Sequence, residues 1–335
     1  MNKKSIQLIQ YFTFLAIGLL LGYLFFTSLN IDELKQNIRT GNFSWFYVVM
    51  FVSLMVYVIR VLRWQMLIRA IGHETKFSNA FAALSISYFV SFIVPRLGEV
   101  TRCLSIKKQH DIGFMELLGT VIIERVVDII SLIIVLLLTL VLEFTMIKEF
   151  VNENVVKPFY NGVVIKIVQG NAMMLIIALL VLVIISVLFF YFRNYLRAKS
   201  PMLIIKFIDG LKQGIASIMK LKQKRLFCLY TFLIWVGYFL MTYFWFFIFK
   251  ETSVLGWGAC LSILSIGTIG RSVPIQGGGM GAYHFLVTNV AIIYGISASF
   301  GKTLATLIHA GQTFFTFAMG LVGLIIFYIN YWINK

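Results

Sequence analysis

The chain has 335 residues, of which 60% are hydrophobic and only 13% charged, with a mean hydropathy of +0.92. Soluble domains carry about 25% charged residues to face water, so this is the composition of a polytopic membrane protein; 4 Pro, 3 Cys and 32 Phe exclude a collagen, a disulfide scaffold and a disordered chain. The formal charge of +16 does not point to nucleic acid, because Lys and Arg lie between apolar runs, where they orient a membrane protein against anionic headgroups.

Apolar runs of about 20 residues, the length of a spanning helix, occur near 6–28, 44–64, 114–142, 171–192, 226–249 and 303–331 and predict six full spans in an all-α fold. The first follows Lys3 and Lys4, exceeds a secretory h-region and has no small-residue cleavage site, so it is expected to remain as a signal anchor. Residues 29–43 balance base with acid and are expected outside. Residues 60–77, with Arg60, Arg63, Arg69 and Lys76, read as a positive cytoplasmic loop. Residues 95–113, with Arg96, Arg102, Lys107 and Lys108, read the same way. Two cytoplasmic loops cannot flank one crossing, so the apolar segment 77–94 is expected to enter from the cytoplasm, break at Pro95 and Gly98, and return.

After the third long run, residues 143–170 are balanced and expected outside, with 147–168 as an outer helix. Residues 193–225 are strongly basic with Asp209 as their one acid, and so cytoplasmic. Within them 201–225 reads as a helix lying on the membrane surface. The apolar run 254–295 breaks at Pro274 and the glycines 277–279 and 281, and is expected to enter from outside. Both termini are then cytoplasmic, in the cytoplasmic (inner) membrane.

Val94-Pro95-Arg96-Leu97-Gly98 aligns with Val273-Pro274-Ile275-Gln276-Gly277, and each half reads span, span, broken segment, span. Halves of about 1–142 and 171–335, joined by 143–170, therefore predict a 3+3 inverted repeat within a single membrane domain, with a site where the two broken segments meet.

Ionisable groups at membrane depth are costly and mark pathways. At about 100° per residue, Glu124, Arg125 and Asp128 face one direction. Glu124 and Asp128 suit a cation, a proton or a cationic headgroup, and Arg125 a phosphate. An ion-pair knot that fixes helix register suits the same residues, although three charges within one turn are expected to leave at least one without an internal partner. Around the first break, Arg96 and Arg102 suit bidentate phosphate recognition, oriented by Glu99, with ordinary interfacial anchoring the alternative for Arg102. Around the second, Gly277, Gly278 and Gly279 can expose backbone N–H groups to an anion beside Arg271 and Gln276, or simply permit close helix packing. His284 and His309 are expected to make interhelical hydrogen bonds, with proton relay the alternative. The cysteines and histidines have no metal-ligand spacing, and no metal or cofactor is expected.

The stretches Pro95-Arg96-Leu97-Gly98-Glu99-Val100-x-Arg102, Glu124-Arg125-x-x-Asp128 and Pro274 to Gly281 resemble the flippase-like membrane domain family, typified by the transmembrane portion of lysylphosphatidylglycerol synthases. The resemblance covers nearly the whole chain. It implies a domain that moves an aminoacylated phospholipid between leaflets while a separate soluble domain makes that lipid. The chain stops at Lys335 directly after its last span, so the synthase half is expected to be absent. Gln276 and His284 stand where relatives commonly have a second proline and a glutamate, which leaves the headgroup open.

The expected function is lipid translocation: Arg96 and Arg102 hold phosphate, Glu124 and Asp128 neutralise a cationic group or take up a coupling proton, and the glycine break with Arg271 forms the outer half of the path. No catalytic residue is assigned. The implied partners are membrane lipids, either anionic phospholipid or a lipid-linked substrate, with a second copy or a separate synthase as protein partners and no nucleic acid. The alternatives are a membrane-embedded lipid-modifying enzyme, with Glu124 or Asp128 as general base, and a non-transporting scaffold in a lipid or glycan assembly.

Overall fold

The computed structural model describes residues 30–95, 97–110, 112–145, 221–272 and 276–333, together with Tyr23, Thr27, Lys148 and Lys157. The chain divides into two units, Met1–Thr139 with Gln213–Lys335, and Leu140–Lys212. The second lies almost wholly outside the described residues. Helices make up the first: α1 (Ile31–Arg39), α2 (Ser44–Ala70), α3 (Phe77–Ile93), α4 (Leu97–Lys107), α5 (Phe114–Leu142), α6 (Lys224–Phe246), α7 (Trp257–Ser272), α8 (Ala282–Ile293) and α9 (Ala298–Ile333).

Among the described residues α2, α5, α6 and α9 are long and apolar enough to cross a membrane. They coincide with the expected spans near 44–64, 114–142, 226–249 and 303–331, and the protein is an all-helical membrane protein. The expected spans near 6–28, apart from Tyr23 and Thr27, and 171–192, the outer helix at 147–168 apart from Lys148 and Lys157, and the surface helix of 201–225 apart from its last five residues lie outside the described residues.

Between the long helices are two helical hairpins. Val94 is extended (φ −126°, ψ 106°) and ends α3, because the ring of Pro95 pushes the preceding residue out of the helical region. α4 then packs back along α3. The arms close this tightly because residue 98 lacks a side chain: a Cβ there would lie 2.0 Å from the Ser87 carbonyl oxygen. The second hairpin turns through Gly277 (φ 70°) and Gly278 (φ 66°), left-handed conformations that glycine adopts without a Cβ clash. α7 and α8 then pack on one another.

The hairpin arms have 17, 11, 16 and 12 residues. At 1.5 Å per residue the longest reaches about 26 Å, short of a hydrocarbon core of about 30 Å. The order long helix, hairpin, long helix thus occurs twice among the described residues: α2, α3–α4, α5, and then α6, α7–α8, α9. Each hairpin has its own apolar cluster. Ala83, Leu84, Cys103 and Ile106 pack with Trp64, Leu67 and Val121 around the first. Cys260, Ile263, Tyr283 and Val287 pack with Val49, Trp245 and Leu304 around the second.

Candidate functional site

Four guanidiniums and three carboxylates meet where α2, α4 and α5 come together. On α2, Arg60 and Arg63 are one turn apart and both buried; on α5, Glu124 and Asp128 are likewise one turn apart, which aims each pair at the other helix. Glu124 has no exposed surface. One of its oxygens accepts from Arg60 at 3.1 Å, with Arg63 at 3.5 Å and Arg125 at 3.8 Å, and the other accepts from Arg102 at 2.8 Å. Asp128 accepts from Arg63 at 2.7 Å and from Arg60 at 3.3 Å. Arg125 Nε lies 3.3 Å from Glu99.

Uncharged groups complete the arrangement. Arg60 also donates to the Tyr238 hydroxyl, and Arg63 to Thr231 Oγ1 at 3.4 Å, which brings in α6. The Arg102 guanidinium lies 3.6 Å from the ring centre of Trp64, whose indole N–H donates to Thr120 at 3.0 Å. Ion pairs this deep persist only when nearly every charge is compensated, because each desolvated ion costs several kcal/mol. The cluster satisfies that demand and keeps one guanidinium in excess.

Beside the cluster is a cavity of about 840 Å³. Arg60, Arg125 and Asp128 line one part of it, and Arg271, Gly278 and His309 of the second hairpin and α9 line another. Pro95 and Phe92 bring the first hairpin's tip to the same space. The remaining wall is largely aromatic and apolar, with Tyr57, Tyr88, Trp235 and Phe315 among its members. Arg271 sits 4.2 Å from the ring centre of Tyr283 and has no carboxylate partner among the described residues. His309 Nε2 lies 2.9 Å from the Gly277 carbonyl oxygen and tethers the glycine turn to α9. The His284 ring is 4.7 Å from that of His309, and its Nδ1 accepts from the Gly281 N–H at 3.3 Å.

Of the residues singled out in the sequence, Pro95, Arg125, Asp128, Arg271, Gly278 and His309 line this one cavity. Arg102 and Glu124 are buried behind it, and Glu99 contacts Arg125 without lining it. Gly277, Gly279 and His284 belong to the glycine turn and its supports. Arg96 and the side chain of Gln276 lie outside the described residues. Two readings are corrected. The charged trio on α5 does not leave a member without an internal partner, because arginines from α2 and α4 reach Glu124 and Asp128 and Glu99 reaches Arg125. Arg60 and Arg63 are not loop charges in the cytoplasm: they sit within α2 at 9% and 0% exposure, held by those same carboxylates. Their place inside the apolar run 44–64 marks them as charges at membrane depth, but nothing in the sequence names the acids opposite them. Tyr238, Tyr88 and Trp64 carried no such mark.

The family described as lysylphosphatidylglycerol synthase TM region matches residues 12–320. A UPF0104 membrane protein of Methanocaldococcus jannaschii is 26% identical over 130 residues, which cover 38% of this chain and 37% of that protein. No solved structure matches.

Proposed function

The chain belongs to the lysylphosphatidylglycerol synthase TM region family, and from that premise we propose that it is a non-catalytic lipid translocase of the cytoplasmic membrane. It moves a phospholipid or another lipid-linked polar headgroup between leaflets. The observation that carries this reading is the cavity of about 840 Å³, lined by the tips of both hairpins and by Arg60, Arg125 and Arg271 among aromatic walls. A largely apolar cavity with a few charged groups on its wall, bounded by broken helices, is where membrane carriers hold their substrates. The headgroup occupies the cavity while the hydrocarbon tails stay in lipid. Arg60 and Arg125 hold phosphate on one side, Arg271 and the glycine turn form the other side, and Glu124 and Asp128 set the position of the guanidiniums.

In this scheme the hairpins belong to two inverted halves, the first entering from the cytoplasm and the second from outside, with both termini in the cytoplasm. Membrane lipids are the partners. A second copy or a separate synthase can supply further contacts.

The test is a headgroup-accessibility assay with the purified protein in liposomes containing trace labelled lipids of several classes. Wild type is expected to equilibrate at least one class across the leaflets, and Arg271→Gln to slow it. If every class equilibrates no faster than in protein-free vesicles, the translocase reading fails.

A further inference from the structure

We infer that the cavity accepts an anionic, hydroxyl-bearing phosphodiester headgroup and turns away the same headgroup once a cationic aminoacyl group is attached. This rests on the translocase reading of the cavity and adds the class of headgroup. Asp128 is the one acid among the described residues that lines the cavity, and both its oxygens are engaged, by Arg63 at 2.7 Å and Arg60 at 3.3 Å. Glu124 is fully buried, with its oxygens on Arg60 and Arg102. A headgroup ammonium entering this space would find each carboxylate already occupied and would meet Arg60, Arg125 and Arg271 instead. Like charges brought together in a partly desolvated site repel far more strongly than in water.

Arg125 lies 3.3 to 3.9 Å from Glu99, Glu124 and Asp128, charge contacts of which none is a hydrogen bond, whereas Arg60, Arg63 and Arg102 each hydrogen-bond a carboxylate. The Arg125 side chain is 38% exposed and lines the cavity. A guanidinium has five N–H donors, and a phosphate accepts two of them in parallel. Tyr88 Oη and Trp235 Nε1 are buried, without a hydrogen-bond partner among the described residues, and both residues line the same cavity. Leaving such donors unpaired is costly, and the hydroxyls of a glycerol or sugar would remove that cost. The volume of about 840 Å³ leaves room for those hydroxyls beyond the phosphate.

The test is binding of short-chain phosphatidylglycerol and short-chain lysylphosphatidylglycerol to the purified full chain in detergent, measured by titration calorimetry. Phosphatidylglycerol is expected to bind at least tenfold more tightly than its lysyl derivative. Arg125→Gln should weaken that binding about tenfold, and Tyr88→Phe about threefold with an unchanged melting temperature. Should Arg125→Gln fold poorly, Arg125→Lys keeps the charge, loses the paired donors and should show an intermediate loss. Equal or tighter binding of the lysyl lipid, indifference to the Arg125 variants, or no binding of either lipid overturns the inference. Selective binding without movement of any lipid in liposomes would remove the translocase reading and leave the headgroup class standing. Movement of lysylphosphatidylglycerol as fast as phosphatidylglycerol would do the reverse.

Discussion

Glu124 and Arg102, on neighbouring helices, share a 2.8 Å hydrogen bond in which neither side chain exposes more than 1% of its surface. The other oxygen of Glu124 accepts from Arg60 at 3.1 Å, so this one carboxylate ties α2, α4 and α5 together. Removing one partner of a buried charge cluster costs more than the pairing energy, because the ions left behind stay desolvated. Glu124→Gln is therefore expected to destabilise the protein by about 3–5 kcal/mol. Asp128→Asn should cost clearly less, since the Asp128 side chain is 20% exposed and solvent can take up part of the charge. Unfolding in detergent micelles measures both, and equal losses for the two variants would contradict the assigned depths.

The hairpin tips depend on atoms that are not there. A Cβ at Gly98 would lie 2.0 Å from the Ser87 carbonyl oxygen and 2.1 Å from Ser91 Oγ. At Gly279 it would lie 2.5 Å from the Gly270 carbonyl oxygen, on a backbone with φ of 79°. Neither backbone can yield without separating the arms, so Gly98→Ala and Gly279→Ala should each cost about 1–3 kcal/mol or more. They should also lower binding of the cavity's ligand, because Pro95 and Gly278 belong to its wall. Gly256→Ala, where nothing lies within 4 Å of the added carbon, serves as the control and should be neutral.

Much of the fold is legible in the sequence. The long helices follow from apolar runs alone, and the first hairpin follows from two basic stretches that cannot both be cytoplasmic if 77–94 crosses. The roles of Arg60 and Arg63 were not legible, because an arginine near the end of an apolar run satisfies the positive-inside pattern equally well when it anchors and when it pairs. What separates the two cases is whether an acid on another helix lies opposite, and only the packing of α2 against α5 supplies that. Glu124 and Asp128 differ for a similar reason. Helical periodicity puts both on one side of α5, yet the cavity reaches Asp128 alone.

Arg63 separates pairing from anchoring directly. Its side chain is fully buried, and its Nη2 lies 2.7 Å from Asp128 and 3.5 Å from Glu124. A lysine carries the same charge but a single compact ammonium, which cannot keep both carboxylates and also reach Thr231 with a second nitrogen. Arg63→Lys is expected to destabilise by at least 1 kcal/mol, roughly one lost hydrogen bond to a charged group. Arg69→Lys, at an exposed position on the same helix, should have no measurable effect. If the two substitutions behave alike in thermal unfolding, Arg63 is an anchor and not part of the cluster.

A second polar junction makes stability depend on pH. Asn330 on α9 donates to Asn79 Oδ1 at 2.7 Å, so the Asn79 amide nitrogen faces His110 Nε2 at 2.8 Å and the imidazole must accept. Protonation would place an N–H against that donor. Burial, with Lys76 adding to it, holds the His110 pKa below the ordinary imidazole value of 6.5. An unfolded chain takes up the proton near 6.5 while the folded one resists it, so the stabilising contribution is complete above that value and is lost as pH falls towards the depressed folded pKa. His110→Gln preserves an acceptor and cannot be protonated in this range. The melting temperature of the wild type should therefore fall more between pH 7.5 and pH 5 than that of His110→Gln, with the carboxylate contributions common to both. Coincident pH profiles would show that His110 does not titrate against folding.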